Sequence, residues 1–212
     1  MANPVGNERV DTKTAILDAA EGMMADRGID GTSLRAILST AGVNSAALHY
    51  HFGSRERVVE AILARRGRHQ SERRMEMLRT LESRGETPTA LDVVDVIVDP
   101  MVEMLYEDGE GGRRFLRFLA RLQSDRSRVL FREAETHFSE FRERLGHLAA
   151  QACPHVPEAG LARRLTMVFD TTLISIASAD VMAEAWKSDE HMEALLEHVV
   201  TLKRFLVGGL SG

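Results

Sequence analysis

Residues 49–58 read HYHFGSRERV and crowd two histidines, a tyrosine, a phenylalanine and two arginines around one Gly-Ser break. Imidazole, phenol and guanidinium groups all form hydrogen bonds, and the guanidiniums are permanently charged. A buried cluster of this kind would need a partner for every ring nitrogen and guanidinium, whereas a nucleic-acid backbone offers partners to all of them at once. The rest of the chain decides whether this stretch is surface or core.

Charge is unevenly distributed along the chain. The 212 residues carry a net charge of −5, which argues against a protein that coats nucleic acid indiscriminately. Residues 31–75, however, contain eight arginines and only three acidic residues, whereas residues 76–212 are acidic overall. This asymmetry predicts two roles, with the positive surface confined to the N-terminal third.

Helical spacing of apolar residues recurs almost everywhere, and almost no window alternates as a strand does. The N-terminal third predicts a helix from residue 11 or 12 to Gly28, short helices over residues 32–41 and 45–51, and a long helix that begins after Ser54. Further helices are predicted over residues 89–106, 113–123, 127–152, 157–186 and 189–207. The chain is therefore expected to be all-α.

The two short helices have the proportions of a helix-turn-helix, because the turn at residues 42–44 contains a glycine and is about three residues long. Such a pair can place its second helix in the major groove while the first contacts the backbone. Periodicity and turn length alone leave the assignment open, and the local positive charge favours a nucleic-acid role.

The run TSLRAILSTAGVNSAALHYHFGSRERVVEAIL, residues 32–63, resembles the DNA-binding domain of the TetR family of bacterial transcriptional regulators. So does the preceding ILDAAEGMMADRGIDGTSL, and the resemblance covers residues 12–66. It implies a three-helix helix-turn-helix DNA-binding domain in residues 1–53. It also implies a helical effector-binding and dimerisation domain in residues 54–212, where beyond residue 85 the resemblance is only architectural.

The resemblance assigns phosphate contacts to Thr32 and Ser33, at a helix N-terminus, and to Arg55, where the family usually has lysine. The turn and the third helix supply the other residues that face nucleic acid: Asn44, Ser45, Ala46, Ala47, His49, Tyr50 and His51. His51 is alternatively a structural residue at the end of the third helix. The family often has lysine at the position of Ser45 and tyrosine at that of His49, so these departures leave the DNA sequence unpredicted.

The second predicted domain is rich in methionine and phenylalanine at helical spacing. Such residues ordinarily form a core, and together they can also line an apolar cavity between helices. The candidate effector-binding residues are Met101, Met104, Tyr106, Phe118, Gln123, Phe131, His137, Phe138, Phe169 and Thr172. Their composition predicts a small, mostly apolar effector, such as an acyl chain or an aromatic molecule.

The last two predicted helices carry wide apolar stripes. In the family these helices form a four-helix bundle with the same pair of a second subunit, and an isologous homodimer fits the pattern. The candidate dimer residues are Leu173, Ile176, Ala177, Leu195, Val199, Leu202 and Leu206. Such a dimer would present two recognition helices to the two halves of a palindrome.

The implied function is that of a homodimeric transcriptional repressor that a small effector releases from a palindromic DNA operator. The effector would favour a dimer whose recognition helices no longer fit both half-sites. The long helix after Ser54, with Gly67 as a soft point, and a helix bent at Pro100 are expected to transmit the change.

Several other features have simpler interpretations. The arginines from Arg68 to Arg74 are interpreted as a solvated helix face, because the contacts of the family end earlier. The single cysteine, Cys153, has no base beside it in the sequence and fits a reducing cytoplasm. The N-terminus lacks a signal peptide and no apolar run is long enough for a membrane span, so a cytoplasmic protein is expected.

Two rival functions remain open at this stage. A helical-bundle enzyme is disfavoured because no nucleophile–base pair or acid–base cluster is visible. The histidines show no ligand spacing for a metal, and no cofactor is implied. An adaptor that binds another protein through its basic face is the second rival, and a DNA titration separates it from the regulator.

Overall fold

The computed structural model describes residues 4–44, 52–129, 132, 138–184 and 190–212. Over these residues the chain is helical and contains no strand, which confirms the all-α prediction. In the same part of the chain, no helix combines the length and the apolar character that crossing a bilayer requires.

Eight helices can be followed through the described residues. They are α1 (Pro4–Arg27), α2 (Leu34–Ala41), α3 (Arg55–Ser83), α4 (Ala90–Glu107), α5 (Glu110–Ser124), α6 (Ser139–Ala152), α7 (Glu158–Glu184) and α8 (Glu190–Ser211). The first begins earlier than the predicted residue 11 or 12, with Pro4 in the first turn, where the missing N–H of proline costs nothing. The short helix predicted over residues 45–51 lies outside the described residues.

Side-chain caps start three of these helices where the sequence predicts a start. Ser33 accepts a hydrogen bond from the backbone N–H of Ala36 at 3.1 Å, and Ser54 accepts one from that of Arg57 at 3.2 Å. Thr89 forms a reciprocal capping box at the start of α4. These hydrogen bonds are local, so the residue types alone identify the helix starts.

One continuous hydrophobic core runs through the molecule. Helix α1 packs against α2 and α3 on one side and against α5 on the other, while α4 lies among α3, α5, α7 and α8. Phe115 and Phe118 of α5 are fully buried, with ring centroids 6.1 Å apart. The division at residues 53 and 54 stays a prediction, since the first helices share their core with the later ones.

Gly28, which follows α1, lies against side chains at the end of α5. Its φ of 73° lies in the left-handed region, as the predicted helix end requires. A Cβ atom here would lie 2.5 Å from Asp125 Oδ2 and 3.0 Å from Arg121 Nε. Glycine is therefore favoured by the left-handed turn, and a larger residue would also displace the Asp125 and Arg121 side chains.

Most of the predicted dimer residues lie inside the chain's own core. Six of the seven are buried against the same chain: Leu173, Ile176, Ala177, Val199, Leu202 and Leu206. Leu195 is half-buried. The stripes are wide because α7 and α8 pack on each other and on α4. Among the side chains of these two helices that the structure describes, the large apolar ones that are exposed are Met167, Ile174, Leu196, Val200 and Phe205.

Candidate functional site

Arg55, the first residue of α3, reaches the turn between α1 and α2. Its Nη1 donates to the carbonyl oxygens of Ile29 at 3.1 Å and Asp30 at 3.4 Å, in the turn that precedes α2. Its Nη2 lies 3.8 Å from the Asp30 carboxylate, and about a third of the side chain stays exposed. The predicted phosphate-binding arginine thus also connects the start of α3 to the turn that precedes α2.

Two predicted contact residues stand side by side with different roles. Ser33 is exposed and caps α2, so its hydroxyl and the first N–H groups of the helix face outward. Thr32 is fully buried, and its hydroxyl donates to the carbonyl oxygens of Gly28 at 2.8 Å and Met23 at 3.3 Å. The predicted phosphate contact of the Thr32 hydroxyl is therefore corrected, because the hydroxyl is committed to the end of α1.

The predicted recognition residues are bounded by well-defined turns. Gly42 adopts the left-handed conformation after α2, and Asn44 is exposed at the end of that turn. Phe52 is buried and Gly53 has a φ of 73° just before the Ser54 cap. The remaining predicted base contacts lie outside the described residues: Ser45, Ala46, Ala47, His49, Tyr50 and His51.

A buried carboxylate connects this end of the molecule to the rest. Glu21 of α1 accepts a hydrogen bond from Arg65 Nη2 at 2.9 Å, and its side chain is only 1% exposed. Arg66 Nε lies 3.4 Å from the same carboxylate, and its Nη1 lies 3.3 Å from Asp108 at the end of α4. We refer to Glu21, Arg65, Arg66 and Asp108 as the ionic junction, because it joins α1, α3 and the α4–α5 turn.

The arginines further along α3 do not form the solvated face that the sequence suggested. Arg68 is exposed, as predicted. Arg73 donates two hydrogen bonds of 2.8 Å to Glu103, and these bonds lower the pKa of that carboxyl. Arg74 is buried, so the prediction is wrong for this residue, because α3 turns that side of its surface toward α6 and α7.

The predicted effector-binding residues divide into buried and exposed groups. Met101, Met104 and Phe118 are buried, and Phe169 is half-buried beside Arg74. Tyr106, in contrast, is 43% exposed on the surface. The structure therefore brings the apolar candidates to the interior and leaves the tyrosine outside it.

The polar candidates make contacts within the chain. Gln123 donates to Asp170 at 2.9 Å, and burial raises the pKa of that carboxyl. The hydroxyl of Thr172 is fully buried and donates to the carbonyl oxygen of Val168 at 2.7 Å. Phe138 is half-buried just before α6. Phe131 and His137 lie outside the described residues.

Two family models match this chain. The model for bacterial regulatory proteins of the tetR family matches residues 16–62, and the model for a tetracyclin repressor-like C-terminal domain matches residues 95–209. The second model alone covers more than half of the chain. The chain belongs to the TetR family.

Curated relatives match only part of this TetR-family chain. The HTH-type transcriptional repressor KstR2 of Mycolicibacterium smegmatis is 36% identical over 63 residues, which are 30% of this chain and 31% of KstR2. The HTH-type transcriptional regulator UidR of Escherichia coli is 25% identical over 107 residues, half of each chain. The matched segments thus span a third to a half of the length of these relatives.

Solved structures share the fold over nearly the whole chain. GusR of Salmonella enterica aligns with a TM-score of 0.57 at 20% identity, over 100% of this chain and 99% of that chain. A gamma-butyrolactone receptor, an ArpA-like protein, aligns with a TM-score of 0.54 at 20% identity, over 93% of this chain and 98% of that chain. At these identities the likeness establishes the fold alone.

Sequence reasoning missed two exposed arginines at this end of the TetR-family chain. Arg35 lies in the first turn of α2 and Arg57 in the first turn of α3, where Arg57 Nη1 lies 3.1 Å from Glu60. The signal was present, since each follows a capping serine by two or three residues. We refer to Ser33, Arg35, Ser54, Arg55 and Arg57 as the cap surface.

The described part of the chain gives little support to a metal site or a reactive cysteine. No group of three or more histidine, cysteine, aspartate or glutamate side chains there is arranged to hold a metal ion. Cys153 is buried, and this burial raises the pKa of its thiol, which disfavours the reactive thiolate.

Proposed function

We propose that this chain is a DNA-binding transcriptional regulator that responds to a small molecule, and that it acts as a repressor. The observation that carries the proposal is the cap surface: the N-termini of α2 and α3 each present a serine cap and an exposed arginine, and Arg55 connects the start of α3 to the turn that precedes α2. The matched KstR2 is named a transcriptional repressor, which supports repression rather than activation. On this basis the protein works in the cytoplasm, where its DNA lies.

Phosphate binding at the cap surface follows from its electrostatics. A helix N-terminus carries free N–H groups and a partial positive charge, so it attracts anions. The cap surface holds two such ends, and Arg55 in the first turn of α3 has a forked guanidinium that suits a phosphate oxygen pair. The base edges would then be read by the residues between the two helices, with His49 and Tyr50 as the leading candidates.

Fluorescence anisotropy with a labelled duplex from upstream of the chain's own gene tests the proposal. Arg55→Ala should weaken binding to every sequence and reduce the slope of log affinity against log salt by about 1, because one phosphate contact is lost. Arg79→Ala, which removes an exposed arginine from the far end of the same helix, is the matched control and should change neither quantity. An unchanged slope in a folded Arg55→Ala variant would count against the assignment.

Sequence preference provides a second readout. His49→Ala should change which of several duplexes is preferred while leaving the salt slope nearly unchanged. A protein-binding adaptor or a helical-bundle enzyme predicts instead that wild-type protein shows no saturable binding to any duplex. The anisotropy titration therefore separates the regulator from both rivals.

We also propose that the regulator is a homodimer formed through the exposed sides of α7 and α8. Met167 and Ile174 lie seven residues apart on one face of α7, and both are exposed. On α8, Phe205 is 69% exposed and about half of the Leu196 side chain is also exposed. Two copies joined here would present their cap surfaces to DNA half-sites about 34 to 36 Å apart.

Effector release would act through the ionic junction. A small molecule bound among α3 to α7 shifts the population between two arrangements of these helices. Arg66 contacts both Glu21 of α1 and Asp108 of the α4–α5 turn, so a displacement of that turn alters the support of the DNA-binding end. The effector has an apolar body, in keeping with the buried Met101, Met104 and Phe118.

A further inference from the structure

Arg74 is the unusual charged residue of the C-terminal part. It lies on α3 with only 6% of its surface exposed. Its guanidinium carbon is 5.8 Å from the ring centroid of Phe141 on α6 and 5.8 Å from that of Phe169 on α7. The charge is thus held between two aromatic rings, where three helices meet.

Within the described residues, no carboxylate pairs with this guanidinium. Its Nε has no hydrogen-bond partner, and neither does the buried Oε1 of Gln70, one helical turn earlier on the same face. Cation–π contacts recover only part of what burying a charge costs. Two buried polar atoms, one helical turn apart on α3, therefore remain unsatisfied.

The neighbouring arginines of α3 show what an arginine with a structural role looks like in this protein. Arg65, Arg66 and Arg73 each pair with a carboxylate of another helix or turn. Burial alone lowers the pKa of Arg74 to about 10, so the side chain is still charged at neutral pH. An uncompensated buried cation of this kind is expected where an anion binds.

We propose that Arg74 binds the acidic group of the effector, and that the effector is an organic anion with an apolar body. The guanidinium fork would take the carboxylate, sulfonate or phosphate oxygens, and Gln70 would accept a hydrogen bond from a donor beside the acidic group. Phe141 and Phe169 would contact the adjoining apolar part. This inference rests on the proposed function, since it names the chemical class of that effector.

The position of Arg74 connects ligand binding to the DNA-binding end. Nine residues separate it from Arg65 on the same helix, which corresponds to about 13 Å along the axis. An anion that draws Arg74 and the rings of α6 and α7 together acts directly on the helix that carries the ionic junction. Three residues of the cap surface lie at the N-terminus of that same helix: Ser54, Arg55 and Arg57.

Two fluorescent probes with the same aromatic body test the proposal. 8-Anilino-1-naphthalenesulfonate carries an acidic group, and N-phenyl-1-naphthylamine is the same skeleton without it. Wild-type protein should bind the sulfonate saturably, and Arg74→Met should weaken this binding about tenfold or more while leaving the affinity for the neutral probe within about twofold. Arg68→Met removes an exposed arginine of the same helix and should affect neither probe.

The proposal is overturned if wild-type protein does not bind the sulfonate, or if a folded Arg74→Met variant loses affinity for both probes equally or for neither. Should Arg74→Met fail to fold, Arg74→Lys keeps the charge without the fork and should weaken sulfonate binding several-fold. Unchanged binding in that variant overturns the proposal as well. If the wild-type protein binds no DNA but Arg74 still discriminates between the two probes, the proposed regulatory function is refuted and the proposed anion site is retained.

Discussion

Glu21 and Arg65 form an ion pair of 2.9 Å between α1 and α3, and the Glu21 side chain is almost completely buried. Arg66 lies against the same carboxylate, so one acidic residue supports two consecutive arginines. Surface ion pairs contribute little to stability, whereas a buried carboxylate that loses its charge leaves Arg65 and Arg66 with only their more exposed partners, Asp18 and Asp108. The ionic junction is therefore expected to matter both for stability and for communication between the two ends of the molecule.

Replacing Glu21 by glutamine should lower the free energy of unfolding by about 2 kcal/mol, because Arg65 and Arg66 lose the charge that they share. Urea denaturation monitored by circular dichroism measures the change. Asp26→Asn, which removes an exposed carboxylate from the same helix, is the control and should change stability by less than about 0.5 kcal/mol. Equal changes in the free energy of unfolding for the two substitutions would show that the ionic junction stabilises the protein no more than an exposed carboxylate does.

Gly67 lies in the middle of α3, and no atom would lie within 4 Å of an added Cβ. Gly67→Ala should therefore stabilise the protein by about 0.5 to 1 kcal/mol, since alanine favours the helix. If the helix bends here during release, the stiffer variant should also need more effector to leave DNA. Anisotropy titrations at a fixed DNA concentration give that midpoint, and a midpoint equal to that of the wild type would contradict transmission through Gly67.

Three helix starts were predictable because their signals are local. Ser33, Ser54 and Thr89 each accept a hydrogen bond from the backbone N–H three residues away, so residue type and spacing suffice. Gly28 and Gly42 likewise end helices in the left-handed conformation that glycine favours. The resemblance of residues 12–66 to the family added the order of these elements.

The partners of the arginines were not predictable in the same way. Arg73 reaches Glu103 across 30 positions of the chain, and Arg65 reaches Glu21 across 44. Such pairs depend on which side of α3 faces α1, α4 or α7. The sequence shows that a residue is arginine but not which neighbouring helix it faces. Thr32 shows that prediction from sequence can fail for neighbouring residues too. Its hydroxyl is bound to the end of α1, whereas the hydroxyl of the adjacent Ser33 caps α2.

Stability should depend on the ionisation of Glu103 in acid. Hydrogen bonds from Arg73 lower the pKa of this carboxyl in the folded protein, so its contribution is present above the unfolded-state value of about 4.3 and is lost as the pH falls through the lowered value. Because the pair is partly exposed, Glu103→Gln should cost only about 0.5 to 1 kcal/mol at pH 7. In urea titrations at a series of acid pH values, the difference from wild type should shrink as the pH falls through the lowered pKa.

Glu86→Gln is the control for that experiment, because Glu86 is exposed between α3 and α4. Its stability should follow that of the wild type at every pH value. A Glu103→Gln difference that persists unchanged in acid would mean that the amide disturbs packing rather than removing a charge.

The proposed dimer predicts a change of assembly upon placing a charge on α8. Phe205→Glu puts a carboxylate into an apolar interface, so sedimentation should shift from dimer to monomer at micromolar concentration. Leu91→Glu makes the same change at an apolar side chain of α4 that is 47% exposed, and it should leave the dimer intact. A Phe205→Glu variant that sediments as wild type would place the interface elsewhere.

Arg74 allows a structural role to be separated from a binding role by stability alone. If the buried guanidinium mainly holds α3, α6 and α7 together, then Arg74→Met should lower the free energy of unfolding by more than about 2 kcal/mol. If it is an uncompensated charge kept for an anion, methionine of similar volume should fill the space and raise that free energy by about 1 kcal/mol. Urea denaturation without ligand decides between the two, with Arg68→Met expected to stay within about 0.5 kcal/mol of wild type. We expect the stabilised outcome, because Phe141 and Phe169 contact the cation without neutralising it.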